Sequence, residues 1–183
     1  MPERRVPGDR DMWVMVLGDM VMFAGYFVIF AIYRAMHPRQ FLAAQEHLNV
    51  NIGVVNTLIL LASSWLVARA VLATRAGQYQ RAIGLIYLGG LGGLLFLALK
   101  GFEWFDEVHR GHTNSEMFYS FYYVVTGVHM LHVLIGLIVL GVGIRELNNP
   151  GRRRAPVVES TAIYWHMVDL LWVIIFALFY VMR

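Results

Sequence analysis

WVMVLGDMVMFAGYFVIFAIY, residues Trp13 to Tyr33, decides the class of this protein: twenty-one residues with one charged side chain, Asp19. A bilayer core of about 30 Å is crossed by roughly 20 apolar residues in helix, so the run reads as a membrane span. Arg4, Arg5 and Arg10 precede it as they would a signal peptide. The apolar run is too long for an h-region, however, and no small-residue cleavage site follows, so it reads as a retained helix. Four more stretches qualify: Ile52 to Ala73, Ala82 to Phe105, Phe118 to Ile144 and Ala162 to Met182. The expectation is an all-α integral membrane bundle of five transmembrane helices, forming one domain over 1–183. The segments Arg34 to Asn51, Arg75 to Arg81, Asp106 to Glu116 and Arg145 to Ser160 are left as short connections.

Composition agrees. Hydrophobic residues make up 58% of the 183 and charged ones 15%, against about 45–50% and 25% in soluble domains. The absence of cysteine removes disulfides, iron–sulfur clusters and thiolate-ligated copper. The net charge of +3 has its source in loop asymmetry and gives no reason to invoke nucleic acid. Arg4, Arg5, Arg10, Arg69, Arg75, Arg81, Arg145, Arg152, Arg153 and Arg154 fall on one side, and Arg34, Arg39, Arg110 and Arg183 on the other. That bias puts the N-terminus in the cytoplasm and the C-terminus outside. Trp13, Trp65, Trp104, Trp165 and Trp172 lie mostly near span ends and read as interfacial anchors. Gly89, Gly90, Gly92 and Gly93 sit mid-membrane, where no phosphate loop could form; Gly89 and Gly93, at GxxxG spacing, read as a helix-packing site.

A charge near the bilayer centre costs at least about 2.5–3.5 kcal/mol on insertion scales, so the polar residues inside the spans are informative. At about 1.5 Å per residue, Asp19, His132 and Asp169 share a level on the cytoplasmic side, with His166 a turn shallower and Glu159 near the entrance. Asn56, Lys100 and Glu103 share an outer level, with Lys100 placed to snorkel; His129 lies between. Lys100 and Glu103, His129 and His132, and His166 and Asp169 are each three apart and so share a helix face. Lys100 with Glu103 reads as a structural ion pair. Three readings of the histidines and carboxylates stay open: interhelical hydrogen bonding, a proton path, or ligation of haem, with His132 and His166 the sterically admissible pair. The last would make a free-standing quinol redox protein. A small transporter is disfavoured, since no inverted repeat or broken half-helix is seen.

Taken together, several strings resemble one family. Ile163-Tyr164-Trp165-His166-Met167-Val168-Asp169-Leu170-Leu171-Trp172, with Glu159 upstream, resembles the tyrosine-tryptophan-histidine-x-valine-aspartate-x-x-tryptophan signature that closes subunit III of the haem-copper oxidases. Thr126-Gly127-Val128-His129-Met130-Leu131-His132 resembles that family's threonine-glycine-x-histidine-x-x-histidine helix, and Asn56-Thr57 its asparagine-threonine helix. Glu103 falls where the family places a glutamate. The chain resembles the last five of the family's usual seven spans, and Asp19 stands where the longer form has a glutamate. A five-span form that opens Gly8-Asp9-Arg10-Asp11-Met12-Trp13 is similar to the nitric oxide reductase E branch.

The resemblance implies an accessory, non-catalytic subunit of an oxidoreductase complex, either a cytochrome c oxidase or a nitric oxide reductase. Such a subunit would have no redox centre of its own, haem and copper or iron being held by a subunit I-type partner. It would stabilise that partner and aid proton uptake, with Asp19 as buried carboxylate amid His129, His132, His166, Asp169 and Glu159. Membrane lipids, among them a bound phospholipid, are the other partners implied. The place implied is a bacterial plasma membrane.

Overall fold

The computed structural model describes residues 8–111 and 117–182; Arg4, Arg5, Glu116 and Arg183 lie outside the described residues. Among those described, the chain is helical with no strand: α1 (Arg10–Met36), α2 (Pro38–His47), α3 (Val50–Arg75), α4 (Tyr79–His109), α5 (Met117–Asn148), α6 (Ala155–Phe176) and a closing π-helix (Ala177–Val181). Five of these are long and apolar enough to cross a membrane, α6 and the π-helix forming one span.

α2 corrects the expectation of a plain connection between Arg34 and Asn51. Proline at position 38 ends α1, since it removes a backbone donor and disfavours helix at the residue before it, while the first turn of a new helix tolerates it. Phe41, Ala44, Gln45 and Leu48 are buried and Arg39, Gln40 and Glu46 exposed, the spacing of a one-sided amphipathic helix. The buried face joins a ring cluster in which Phe30 stands 5.5 Å from Phe41 and 4.5 Å from Phe179.

α1 meets the rest of the bundle along a narrow seam. Its fully buried residues are Val16, Phe23 and Phe30, seven apart, while Val14, Leu17, Val21, Val28 and Ile32 face outward. Asp19 sits on the seam, three residues after Val16.

α3 and α4 form an antiparallel pair turned at Gly77, whose φ of +71° suits glycine. Small residues bring the helices together: the Ser63 hydroxyl donates to the Gly89 carbonyl at 2.7 Å. A Cβ on Gly89 would lie 2.8 Å from Val67, and one on Gly93 2.5 Å from the Trp165 ring. Trp165 is the centre of the bundle. From α6 it touches Gly93 of α4 and Gly136 of α5 and donates from its indole nitrogen to Ser63 of α3 at 3.0 Å. Trp165 and Trp172 are 1% and 0% exposed, which corrects their reading as interfacial anchors. Each indole N–H finds a hydroxyl inside, Trp172 on Thr57 at 3.0 Å, so a position near a span end does not force the ring to the surface.

Candidate functional site

Among the described residues, the polar side chains named from the sequence fall into three clusters and an ion pair at the basic end, with His129 and Asn56 standing apart. One cluster starts from a stripe on α4: Phe96, Lys100, Glu103 and Glu107 recur at helical spacing and are all buried. The Lys100 ammonium uses its three donors on Glu103 Oε2 at 3.1 Å, Tyr122 OH at 2.8 Å and Tyr180 OH at 2.6 Å. Tyr180 in turn donates to the other Glu103 oxygen, and the Trp172 ring lies 5.1 Å from the ammonium. Nearby, the Tyr119 hydroxyl faces the buried Glu107 at 3.5 Å.

Lys100 is wholly enclosed, so the expectation that it snorkels is corrected. α4 continues to His109, leaving Lys100 roughly 13 Å inside the helix end, and beside Glu103 its partners come from α5 and the π-helix. No sequence signal pointed to Tyr122 or Tyr180, because they reach Lys100 only through tertiary packing. The C-terminal turn that carries Tyr180 is held by Gln45 of α2, whose amide donates to the Leu178 and Phe179 carbonyls at 3.0 and 3.2 Å. These are carbonyls a helix end leaves without intrahelical partners.

A second cluster joins α1 to α5. Asp19 Oδ1 lies 3.4 Å from His132 Nε2, while His132 Nδ1 lies 2.8 Å from the Val128 carbonyl. A carbonyl only accepts, so Nδ1 carries the proton and Nε2 of a neutral ring is an acceptor. Facing a carboxylate oxygen, that arrangement is favourable only when a further proton sits on the imidazole or on the carboxyl. Asp19 is not enclosed: 22% of its side chain is exposed, because α1 touches the bundle only along its seam.

His166 and Asp169 are placed elsewhere. His166 Nδ1 is 2.6 Å from the Ser64 hydroxyl of α3, and Ser64 also faces the Asp169 carboxyl, one of whose oxygens has no hydrogen-bond partner. Of the four residues grouped at the inner level, the structure pairs Asp19 with His132 and sets His166 and Asp169 around Ser64. Glu159 pairs with Arg75 at 2.7 Å at the basic end of the bundle. Nearby Glu146 binds Arg154 at 2.8 Å, which raises the pKa of that guanidinium.

His129 and Asn56 are fully buried, and neither side chain has a hydrogen-bond partner. His129 packs against Phe96 and Trp172, its centroid 5.6 and 5.4 Å from theirs, and those two rings are themselves 4.7 Å apart. Among the described residues no three His, Cys, Asp or Glu side chains converge as a metal would need.

Comparison with known proteins places these features. Residues 9–183 match the family model described as cytochrome c oxidase subunit III. A cytochrome c oxidase subunit 3 of Thermostichus vulcanus is 31% identical over 185 residues, covering 99% of this chain and 89% of that protein. One of Bacillus sp. (strain PS3) is 30% identical, covering 93% and 83%. A heme-copper oxidase subunit I+III of Aeropyrum pernix is 32% identical over 184 residues, 92% of this chain but 22% of that longer protein.

Proposed function

Because the chain belongs to the cytochrome c oxidase subunit III family, we propose that it is the accessory, non-redox subunit of a haem-copper terminal oxidase in a respiratory chain. The observation that carries the reading is a family match over nearly the whole chain, on a bundle that uses its buried polar groups to join its own helices. The free-standing haem protein finds no support in the relatives, and ligation by His132 would break its contact with Asp19.

The partner is a subunit I-type protein that holds haem and copper, in keeping with a relative whose name joins subunits I and III. A nitric oxide reductase as host is the finer alternative; relatives named cytochrome c oxidase subunit 3, covered to 89% and 83% of their length, are about as short, so length does not favour it. The chain acts as one unit in the plasma membrane of a bacterium, with its basic end, carrying Arg69, Arg75, Arg81 and Arg145, toward the cytoplasm. The Asp19–His132 pair then lies on the side from which protons are taken up, and a carboxylate beside an imidazole inside a span suits proton supply to the partner. Membrane lipid covers the outward face of α1, where Val14, Leu17, Val21, Val28 and Ile32 are exposed.

Membranes from a strain lacking this protein test the reading. The expected result is reduced or short-lived oxygen consumption with reduced cytochrome c or quinol, restored by the complementing gene. Loss of nitric oxide consumption with oxygen uptake intact would move the assignment to the reductase branch. Unchanged rates and durability of both activities would contradict it.

A further inference from the structure

Two adjoining cavities, of about 160 and 470 Å³, lie where α3 turns into α4 at the basic end of the bundle. Gln78 and Arg81 line both, so the two form one groove. Arg69 stands on the wall of the smaller cavity, and Arg153, from the connection between α5 and α6, on the wall of the larger. The larger one is otherwise walled by Gly77, Gln78, Tyr79 and Gln80 and has no aliphatic side chain.

The arginines at this end differ in what balances them. Arg75 and Arg154 are ion-paired, with Glu159 at 2.7 Å and Glu146 at 2.8 Å. Arg69, Arg81 and Arg153 line the groove, and among the described residues none of the three forms an ion pair. Arg81 donates to Gln78 Oε1 at 3.3 Å, and the Arg69 guanidinium lies 5.6 Å from the centroid of the Trp65 ring. Arg153 is fixed twice: its guanidinium lies 4.4 Å from the Tyr79 ring centroid, and its Nε donates to the Leu147 carbonyl at 3.3 Å. These contacts set the guanidiniums in place and leave their charge unbalanced. Membrane topology accounts for basic residues at this end; it does not account for three unpaired ones gathered around one groove. Such a gathering is self-repelling until an anion reaches all of its members.

We infer that the groove binds a water-soluble polyphosphate chain, the group that nucleoside triphosphates carry, across Arg69, Arg81 and Arg153. The planar fork of arginine meets two phosphate oxygens at once, and linked phosphates present such oxygens in a row where a single phosphate serves one fork. An acyl chain would find no apolar wall in the larger cavity. The inference goes beyond membership of an oxidase and holds whichever complex is the host.

Isothermal titration of the full-length protein in an uncharged detergent with sodium tripolyphosphate tests it. Wild type is expected to bind one equivalent, less tightly as salt rises, and to bind inorganic phosphate about tenfold more weakly. Arg81→Gln and Arg153→Gln should each weaken tripolyphosphate binding about tenfold. Arg145→Gln, which removes an exposed charge at the same end but outside both cavities, should match wild type. Equal weakening by Arg145→Gln and Arg81→Gln would overturn the inference, because the anion would then respond only to the net charge of that end. Lack of saturable binding would overturn it as well. Displacement of tripolyphosphate by a short-chain phosphatidylglycerol, at a concentration where glycerol phosphate displaces nothing, would assign the groove to lipid and so overturn the soluble ligand.

Discussion

Lys100 shows how a buried charge is made tolerable one hydrogen bond at a time: its three donors are used, and Glu103 balances its charge. Removing one member of a buried pair strands the other, at about 3–5 kcal/mol, whereas replacing both is far less costly. Lys100→Met should therefore sharply lower the temperature at which the purified protein loses its helix signal, and adding Glu103→Gln should recover part of the loss. Additive losses would contradict the coupling. The Asp19–His132 pair calls for a different measurement. If it supplies protons, Asp19→Asn should slow turnover of the complex most at high pH, where bulk protons are scarce, with assembly intact. A pH profile that overlays wild type throughout prolonged turnover would contradict that role. The i,i+3 spacing made Lys100 and Glu103 legible from the chain alone. Tyr122 and Tyr180 were not, because the register between α4, α5 and the C-terminal turn has no local signature. The same gap led sequence reasoning to group Asp19 with His166, which the fold turns toward Ser64 on another helix.

At the level of elements, close approach rests on small residues facing large ones. Gly93 abuts Trp165, so Gly93→Ala must move an indole held by α3, α4 and α5 and should cost about 1–3 kcal/mol. Gly101→Ala, where an added Cβ meets nothing within 4 Å, should be neutral or slightly stabilising. Thermal unfolding in one detergent compares the two, and equal shifts would contradict this account of the packing. α2 offers a second test. Gln45→Leu leaves two carbonyls of the C-terminal turn without their donor and should raise hydrogen exchange in peptides covering 177–182 more than in those covering 160–170. Spans were legible because their length and hydropathy are imposed by the bilayer. α2 was missed because a ten-residue amphipathic helix adds little to a search for apolar runs. Trp165 and Trp172 were misplaced because tryptophan serves interfaces and interiors alike, and only the opposing glycines and hydroxyls decide between them.

At the scale of the molecule, five spans enclose their polar groups along α4, α5 and α6, while α1 stays attached by a seam of Val16, Phe23 and Phe30 and leaves its other faces outward. Such a body suits a subunit that lies against a larger membrane partner. The central claim, membership of a haem-copper oxidase complex as its non-redox subunit, is tested most directly by affinity isolation of the tagged protein from its native membrane in mild detergent. Mass spectrometry and a dithionite-reduced visible spectrum of the eluate then identify what came with it. The account predicts co-purified subunit I with haem bands that leave with that subunit when the chain is separated from it. A chain isolated alone that keeps a haem spectrum of its own would contradict the account.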